Sequence, residues 1–359
     1  MMTSPGTLVI RAEADPQTGT GHFMRCLALA QQWRDRRGRV VLVTACSFEG
    51  LLSRYRREGA TIVSLERCRS HSRDAEMTAQ VMREIAGSWL ILDGCQFSDD
   101  YQRQIKIRGH RLLVIDDSAS LPHYYADIVL NQNYHAGFLH YSAEPCTKLL
   151  LGTKYSLVRR ELFIRKARAV PQHGRSRVLI SLGGADPENA TLAIIQSFKR
   201  SLLNNFEFEI VVGALNPNLR ALRRAAQESS IRIKLKSDVK NMAALMRWAE
   251  IAIIAPGITL WELLHNGCPV ICYFRDPSQK TFLRPLRKRG AIKLLGGLND
   301  VDELRLVSTL RELGSDPKAR RRMSDLGRTI VDGNGSRRVV DLLIAAKRSG
   351  HCLSDMRAN

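Results

Sequence analysis

Several common signatures are missing from this chain of 359 residues. No run of about 18 apolar residues occurs, so nothing reads as a membrane-spanning helix. The opening Met1-Met2-Thr3-Ser4-Pro5-Gly6 lacks the basic and apolar regions of a signal peptide, and a cytoplasmic location is expected. Eight cysteines are scattered without a CxxC pair, which points to reduced, buried thiols. No His/Cys/Asp cluster has metal-ligand spacing, so no metal is expected. A Walker lysine motif and a GxSxG elbow are absent. Gly19-Thr20-Gly21 lacks the third glycine of a dinucleotide fingerprint, which argues against NAD.

Acidic residues are also scarce. Asp and Glu number 35 against 55 Lys and Arg, giving a net charge of +20. The basic runs at 34–39, 54–57, 284–289 and 320–322 are dispersed. Nucleic-acid binders concentrate charge on one face with groove-reading or aromatic elements. No such module is readable, so no nucleic-acid partner is expected. The charge reads as a solvated surface, with weak peripheral contact with an anionic membrane as the lesser reading. It would also attract an anionic substrate. Oligomeric state is not readable from the chain.

What is present is an alternation of short apolar runs and helical patterns. The runs lie at 7–10, 40–44, 61–65, 89–93, 112–116 and 127–130, then at 178–182, 208–212, 231–235, 251–255, 270–274 and 292–295. Helical patterns at 77–85 and 192–203 are clear, the second with Asn189 as its expected cap. Continuous apolar strands joined by helices predict an α/β fold with parallel sheets covered on both faces. Two doubly wound units are expected, over 1–168 and 177–348. A polar linker containing Pro171 and Gly174 is expected over 169–176, and a frayed tail over 349–359. Ligands of such sheets bind beyond the carboxyl ends of the strands, so a site in a cleft between the units is expected.

Four strand-end segments carry candidate chemistry. Gly19-Thr20-Gly21-His22-Phe23-Met24-Arg25-Cys26 joins a strand to a helix. Its glycines allow close approach of an anion to the helix N-terminus. His22 is either a structural residue or a base, and the positive helix end favours a neutral imidazole. Leu182-Gly183-Gly184-Ala185-Asp186-Pro187-Glu188-Asn189 is a second candidate phosphate cradle. Its alternative is a tight turn with Asp186 or Asn189 as the cap. In Ala255-Pro256-Gly257-Ile258-Thr259-Leu260-Trp261-Glu262, Glu262 is placed to receive ribose hydroxyls or merely to favour the helix dipole. The paired acids Asp116 and Asp117 end another strand, and either serve a site or cap the next turn.

Together these segments resemble the UDP-2,4-diacetamido-2,4,6-trideoxy-β-L-altropyranose hydrolases of pseudaminic acid biosynthesis. Residues 19–26 resemble the family's GxGHxxRC signature. Val114-Ile115-Asp116-Asp117, His123, Asp127 and Asn131-Gln132-Asn133 resemble its second block. Leu150-Leu151-Gly152, Tyr155, Arg159 and Glu161-Leu162-Phe163 resemble its third, and Ser181 to Asn189 its SLGGxDPxN loop. The matches run in order from about Arg11 to Gly290. The resemblance implies a two-domain GT-B architecture, shared with the peptidoglycan N-acetylglucosaminyltransferase. It implies hydrolysis of a UDP-activated amino or deoxy sugar with anomeric inversion. It also implies that no cofactor is needed.

By position, the resemblance makes His22 the base that activates water. Gly19 and Gly21 would shape the loop beside the sugar and diphosphate, the loops of Asp93 and Gln279 would line the sugar side, and Arg25 would bind substrate. Gly183, Gly184, Asp186, Asn189, Gly257 and Thr259 would hold diphosphate and uridine, and Glu262 the ribose. Two departures bear on which sugar fits. Asp93-Gly94-Cys95 stands where the family has Asp-His-Tyr, and Ser278-Gln279 where it has Asn-Gln. The runner-up activity is glycosyl transfer on the same fold, with His22 deprotonating an acceptor hydroxyl. A non-catalytic sugar-nucleotide sensor is a third.

Overall fold

The computed structural model describes residues 4–15, 19–68, 70–163, 174–184, 186, 188–198, 201, 203–213, 216–237 and 239–348. Most of the expected linker and the expected tail lie outside the described residues. Residue contacts divide the chain into two compact units. One comprises 1–14, 22–160 and 333–359; the other comprises 15–21 and 161–332.

The first unit holds strands β1 (Thr7–Ala12), β2 (Arg39–Thr44), β3 (Thr61–Ser64), β4 (Gly87–Asp93), β5 (Leu112–Ile115), β6 (Ile128–Asn131) and β7 (Lys148–Leu151). They form one parallel sheet in the order β3-β2-β1-β4-β5-β6-β7. Helices α1 (Gly21–Asp35), α2 (Glu49–Arg57), α3 (His71–Glu84) and α4 (Asp99–Ile107) connect β1 to β5 in succession. Every residue of β1 and β5 is buried, as a parallel sheet covered on both faces requires. One face packs Phe23, Leu27, Trp33 and Tyr55 against Leu8, Ile10 and Ile91. The other packs Ala75, Met82, Tyr101 and Ile105 against Val9, Leu90 and Val114.

The second unit repeats the winding. It contains β8 (Ser176–Ser181), β9 (Phe206–Val212), β10 (Arg232–Ser237), β11 (Ile251–Ile254), β12 (Val270–Phe274) and β13 (Ile292–Gly297), in the parallel order β10-β9-β8-β11-β12-β13. Its helices are α5 (Ala190–Ser197), α6 (Leu219–Gln227), α7 (Met242–Trp248), α8 (Ile258–Asn266), α9 (Gln279–Lys288), α10 (Glu303–Ser315) and α11 (Pro317–Ile330). No helix among the described residues is long and apolar enough to cross a membrane.

All twelve apolar runs read from the sequence are strands. The thirteenth, β7, is only four residues long, and its three leucines are too short a run to mark a strand by themselves. The last helix, α12 (Gly335–Arg348), departs from expectation. The sequence places it in the second half, but Val339, Val340 and Leu343 bury themselves in the core of the first unit. Trp89 Nε1 donates to the Leu343 carbonyl at 3.0 Å. Gly335 touches the Ser156 backbone so closely that a Cβ would overlap it.

Candidate active site

In a doubly wound sheet, the crevice opens where strand order reverses, between the first strand and the fourth. In the first unit that point lies between β1 and β4, where Ala12 pairs with Asp93. The opening loop and His22 follow β1, and Asp93 ends β4. Gly19 takes φ +75°, a conformation L side chains rarely adopt, and its N–H closes a turn on the Asp15 carbonyl at 2.8 Å.

His22 Nδ1 lies 2.6 Å from Asp93 Oδ1. Asp93 is 0% exposed. Arg25, one turn along α1 from His22, grips the same carboxylate with Nε at 2.7 Å and Nη2 at 2.6 Å. The Cys26 thiol adds a fourth contact at 3.3 Å. Burial pushes the Asp93 carboxyl up, but the Arg25 guanidinium and then His22 outweigh it, holding it well below the usual carboxylate range. Burial pushes the Cys26 thiol up, which keeps it a donor. Asp93 is therefore an acceptor only, and His22 Nδ1 must carry the hydrogen between them. Nε2 has no hydrogen-bond partner among the described residues. The ring is 26% exposed. Tyr55 fixes the turn beneath it by donating to the Phe23 carbonyl at 2.7 Å.

Asp93 and Arg25 are expected from the sequence to bind substrate. Both are buried, with their polar atoms committed inside the protein. Their hydrogen bonds run to His22, to each other and to Asp117. Arg25 passes its remaining edge to Asp117, with Nη1 at 2.8 and 2.7 Å from the two oxygens. Asn133 Nδ2 donates to the same carboxylate at 2.8 Å. Asp117 remains 44% exposed. Its neighbour Asp116 accepts from the Ser118 and Ala119 backbone N–H groups and from the Tyr124 hydroxyl. So the acid pair divides: Asp116 caps the next turn, and Asp117 joins the histidine cluster. His123 is pinned between Ser142 and Glu144.

In the second unit the switch point lies between β8 and β11. Gly183 and Gly184 follow β8, and Gly183 takes φ +108°. Ala185 and Pro187 of this turn lie outside the described residues. Asp186 was expected to touch substrate, yet it is buried. Its two oxygens accept the Ala190 and Thr191 backbone N–H groups, each at 3.0 Å. It is the cap of α5. Asn189, expected as that cap, makes no capping bond because its backbone is left-handed, at φ 52°. Its Oδ1 is buried without a hydrogen bond.

Gly257 is exposed at the start of α8, where no side chain caps the helix, and Thr259 is half-buried beside it. Glu262, one turn on, is fully buried. Gln279 turns its amide oxygen back onto the Arg275 N–H at 2.8 Å. Arg275, which sequence reasoning passed over, donates to the Leu182 carbonyl and pairs with Glu188 at 3.4 Å. A cation directly after a wholly apolar strand was the available signal.

No protein-family model matches the chain. It is 24% identical over 302 residues to an uncharacterized protein of Methanocaldococcus jannaschii, covering 78% of this chain and 60% of that protein. It is 27% identical over 294 residues to the UDP-2,4-diacetamido-2,4,6-trideoxy-beta-L-altropyranose hydrolase of Campylobacter jejuni, covering 79% of this chain and 97% of the hydrolase. It is 25% identical over 202 residues to an Azotobacter vinelandii protein, covering 53% of this chain and 54% of that protein. That relative is the UDP-N-acetylglucosamine--N-acetylmuramyl-(pentapeptide) pyrophosphoryl-undecaprenol N-acetylglucosamine transferase. The chain thus spans well under two thirds of the archaeal and Azotobacter relatives. Among solved structures it superposes on Acinetobacter baumannii MurG with a TM-score of 0.65 at 15% identity, covering 94% of this chain and 99% of that one. On the UDP-GlcNAc 2-epimerase of Neisseria meningitidis the TM-score is 0.62 at 12% identity, covering 95% and 100%. The fold is GT-B, and the resemblance carried by the motifs is matched by the hydrolase relative along nearly its whole length.

Proposed function

We propose that this protein hydrolyses a UDP-activated amino or deoxy sugar to UDP and the free sugar, with inversion at the anomeric carbon. The observation that carries this reading is the His22–Asp93 pair. A buried, ionised carboxylate fixes the tautomer, and the uncommitted Nε2 is a base. Water oxygen attacks the anomeric carbon as its proton passes to Nε2. The bond from that carbon to the diphosphate oxygen breaks, and UDP leaves with the electron pair. Asp93 stabilises the imidazolium that forms. A single displacement inverts the centre. The extent of the match to the Campylobacter hydrolase supports water as the nucleophile.

The Gly183-Gly184 turn and the uncapped start of α8 are the proposed seats of the diphosphate and uridine, with Glu262 taking the ribose hydroxyls. Glu262 is covered in this structure, so that role requires its side chain to be uncovered when nucleotide enters. The match to the Azotobacter transferase supports a second reading, in which His22 deprotonates an acceptor hydroxyl. NMR product analysis with UDP-sugars and no acceptor decides. UDP and free sugar are expected; turnover only with an added acceptor would establish the transferase.

A further inference from the structure

The inference rests on the reading of the second unit as the nucleotide site. A diphosphate needs positive charge or free N–H groups. The first turn of α5 offers little, because Asp186 already holds the Ala190 and Thr191 N–H groups. We propose that Arg275 is the residue that binds the nucleotide diphosphate, and that Glu188 is a built-in competitor that Arg275 exchanges for phosphate.

β8 and β12 are not neighbours; β11 lies between them. Arg275 directly follows β12, yet its Nη2 donates to the carbonyl of Leu182, directly after β8. Two strand spacings amount to about 10 Å, so the side chain must cross the carboxyl end of β11. That end leads through Ala255-Pro256-Gly257 into α8, whose first turn has no side-chain cap. The guanidinium therefore spans the switch point, where a ligand of this sheet type sits. Gly183 leaves it room: a Cβ there would lie 2.8 Å from Arg275 Nη2.

The second anchor is weak. Arg275 Nη1 and Glu188 Oε2 are 3.4 Å apart, with side chains 24% and 33% exposed. A partly exposed pair at that distance contributes little. A phosphate offers the planar guanidinium two short, charge-assisted bonds instead. A purely structural strap would use Glu188 as a support, so the two roles predict opposite signs when Glu188 loses its charge.

Isothermal titration of the full chain with UDP and with uridine tests this. Arg275→Gln is expected to weaken UDP binding by about 10- to 100-fold while uridine affinity stays at the wild-type value. Glu188→Gln is expected to tighten UDP binding by about 2- to 10-fold, again with uridine unchanged. Three results would overturn the proposal: wild-type UDP affinity in Arg275→Gln, an equal loss for uridine and UDP, or UDP affinity in Glu188→Gln at or below wild type. A wild-type protein that binds neither ligand would instead remove the nucleotide reading, and this proposal with it.

Discussion

His22 and Asp93 are 71 residues apart in the chain and 2.6 Å apart in space. The reversal of strand order puts β1 beside β4, so a residue in the first turn of α1 stands over the residue that closes β4. Arg25 completes the support because helical periodicity returns it to the same face three residues later.

Replacing His22 with Ala or Asn is expected to lower turnover by about 10²- to 10⁴-fold, the usual contribution of a positioned base. UDP affinity should be unchanged. Steady-state rates and calorimetry on the same preparation check both halves, and retained turnover would remove His22 from the mechanism.

Asp93→Asn is expected to damage folding as well as chemistry, because Arg25 would keep a buried charge with half its partners. Breaking such a pair costs about 3–5 kcal/mol at neutral pH. The pH dependence follows from the depressed Asp93 value. Its contribution is full above about pH 4, the ordinary value of an unfolded Asp, and is lost as pH falls toward the folded value. Asp74 is also held low, with Arg11 outweighing its burial, so both proteins lose stability in acid. Thermal unfolding between pH 7 and pH 3 should show the wild type falling more steeply below pH 4 than Asp93→Asn. Parallel curves would contradict the assignment.

Asp186 and Glu262 should separate cleanly. Asp186→Ala removes a helix cap, worth about 0.5–2 kcal/mol, and should lower the melting temperature. Glu262→Ala should weaken UDP binding before anything else. Unchanged UDP affinity in Glu262→Ala would reject the ribose role. A normal melting temperature in Asp186→Ala would reject the cap.

Cys95 is exposed just beyond Asp93, where the resembling family carries an aromatic residue. Cys95→Tyr is expected to raise activity toward the diacetamido-trideoxy sugar relative to other UDP-sugars. An unaltered preference across a panel of UDP-sugars would make this position irrelevant to specificity.

Much of the architecture was legible because buried parallel strands write themselves as apolar runs, as 112–115 and 251–254 do. Lys148–Leu151 is not legible as a strand because three leucines after a lysine are too short a run to distinguish a strand from a loop. The glycine turns were legible at Gly19 and Gly183, whose positive φ restricts the residue type. For Asp186 the sequence left a cap and a ligand-binding acid both open, because the two look alike in one dimension; the distances to Ala190 and Thr191 make it the cap of α5.

Local residue patterns alone specify the α/β class, the positions of twelve strands, and His22 as the candidate base at the start of α1. These depend on local periodicity and on conformations that few residues tolerate. The tertiary structure decided that Asp93 and Arg25 support His22, that Asp117 rather than Asp116 joins them, that Arg275 reaches the Gly183 turn, and that α12 belongs to the first unit. Each of these depends on which strands lie side by side. Strand order is set by packing across the whole sheet, and no local pattern of residues encodes it.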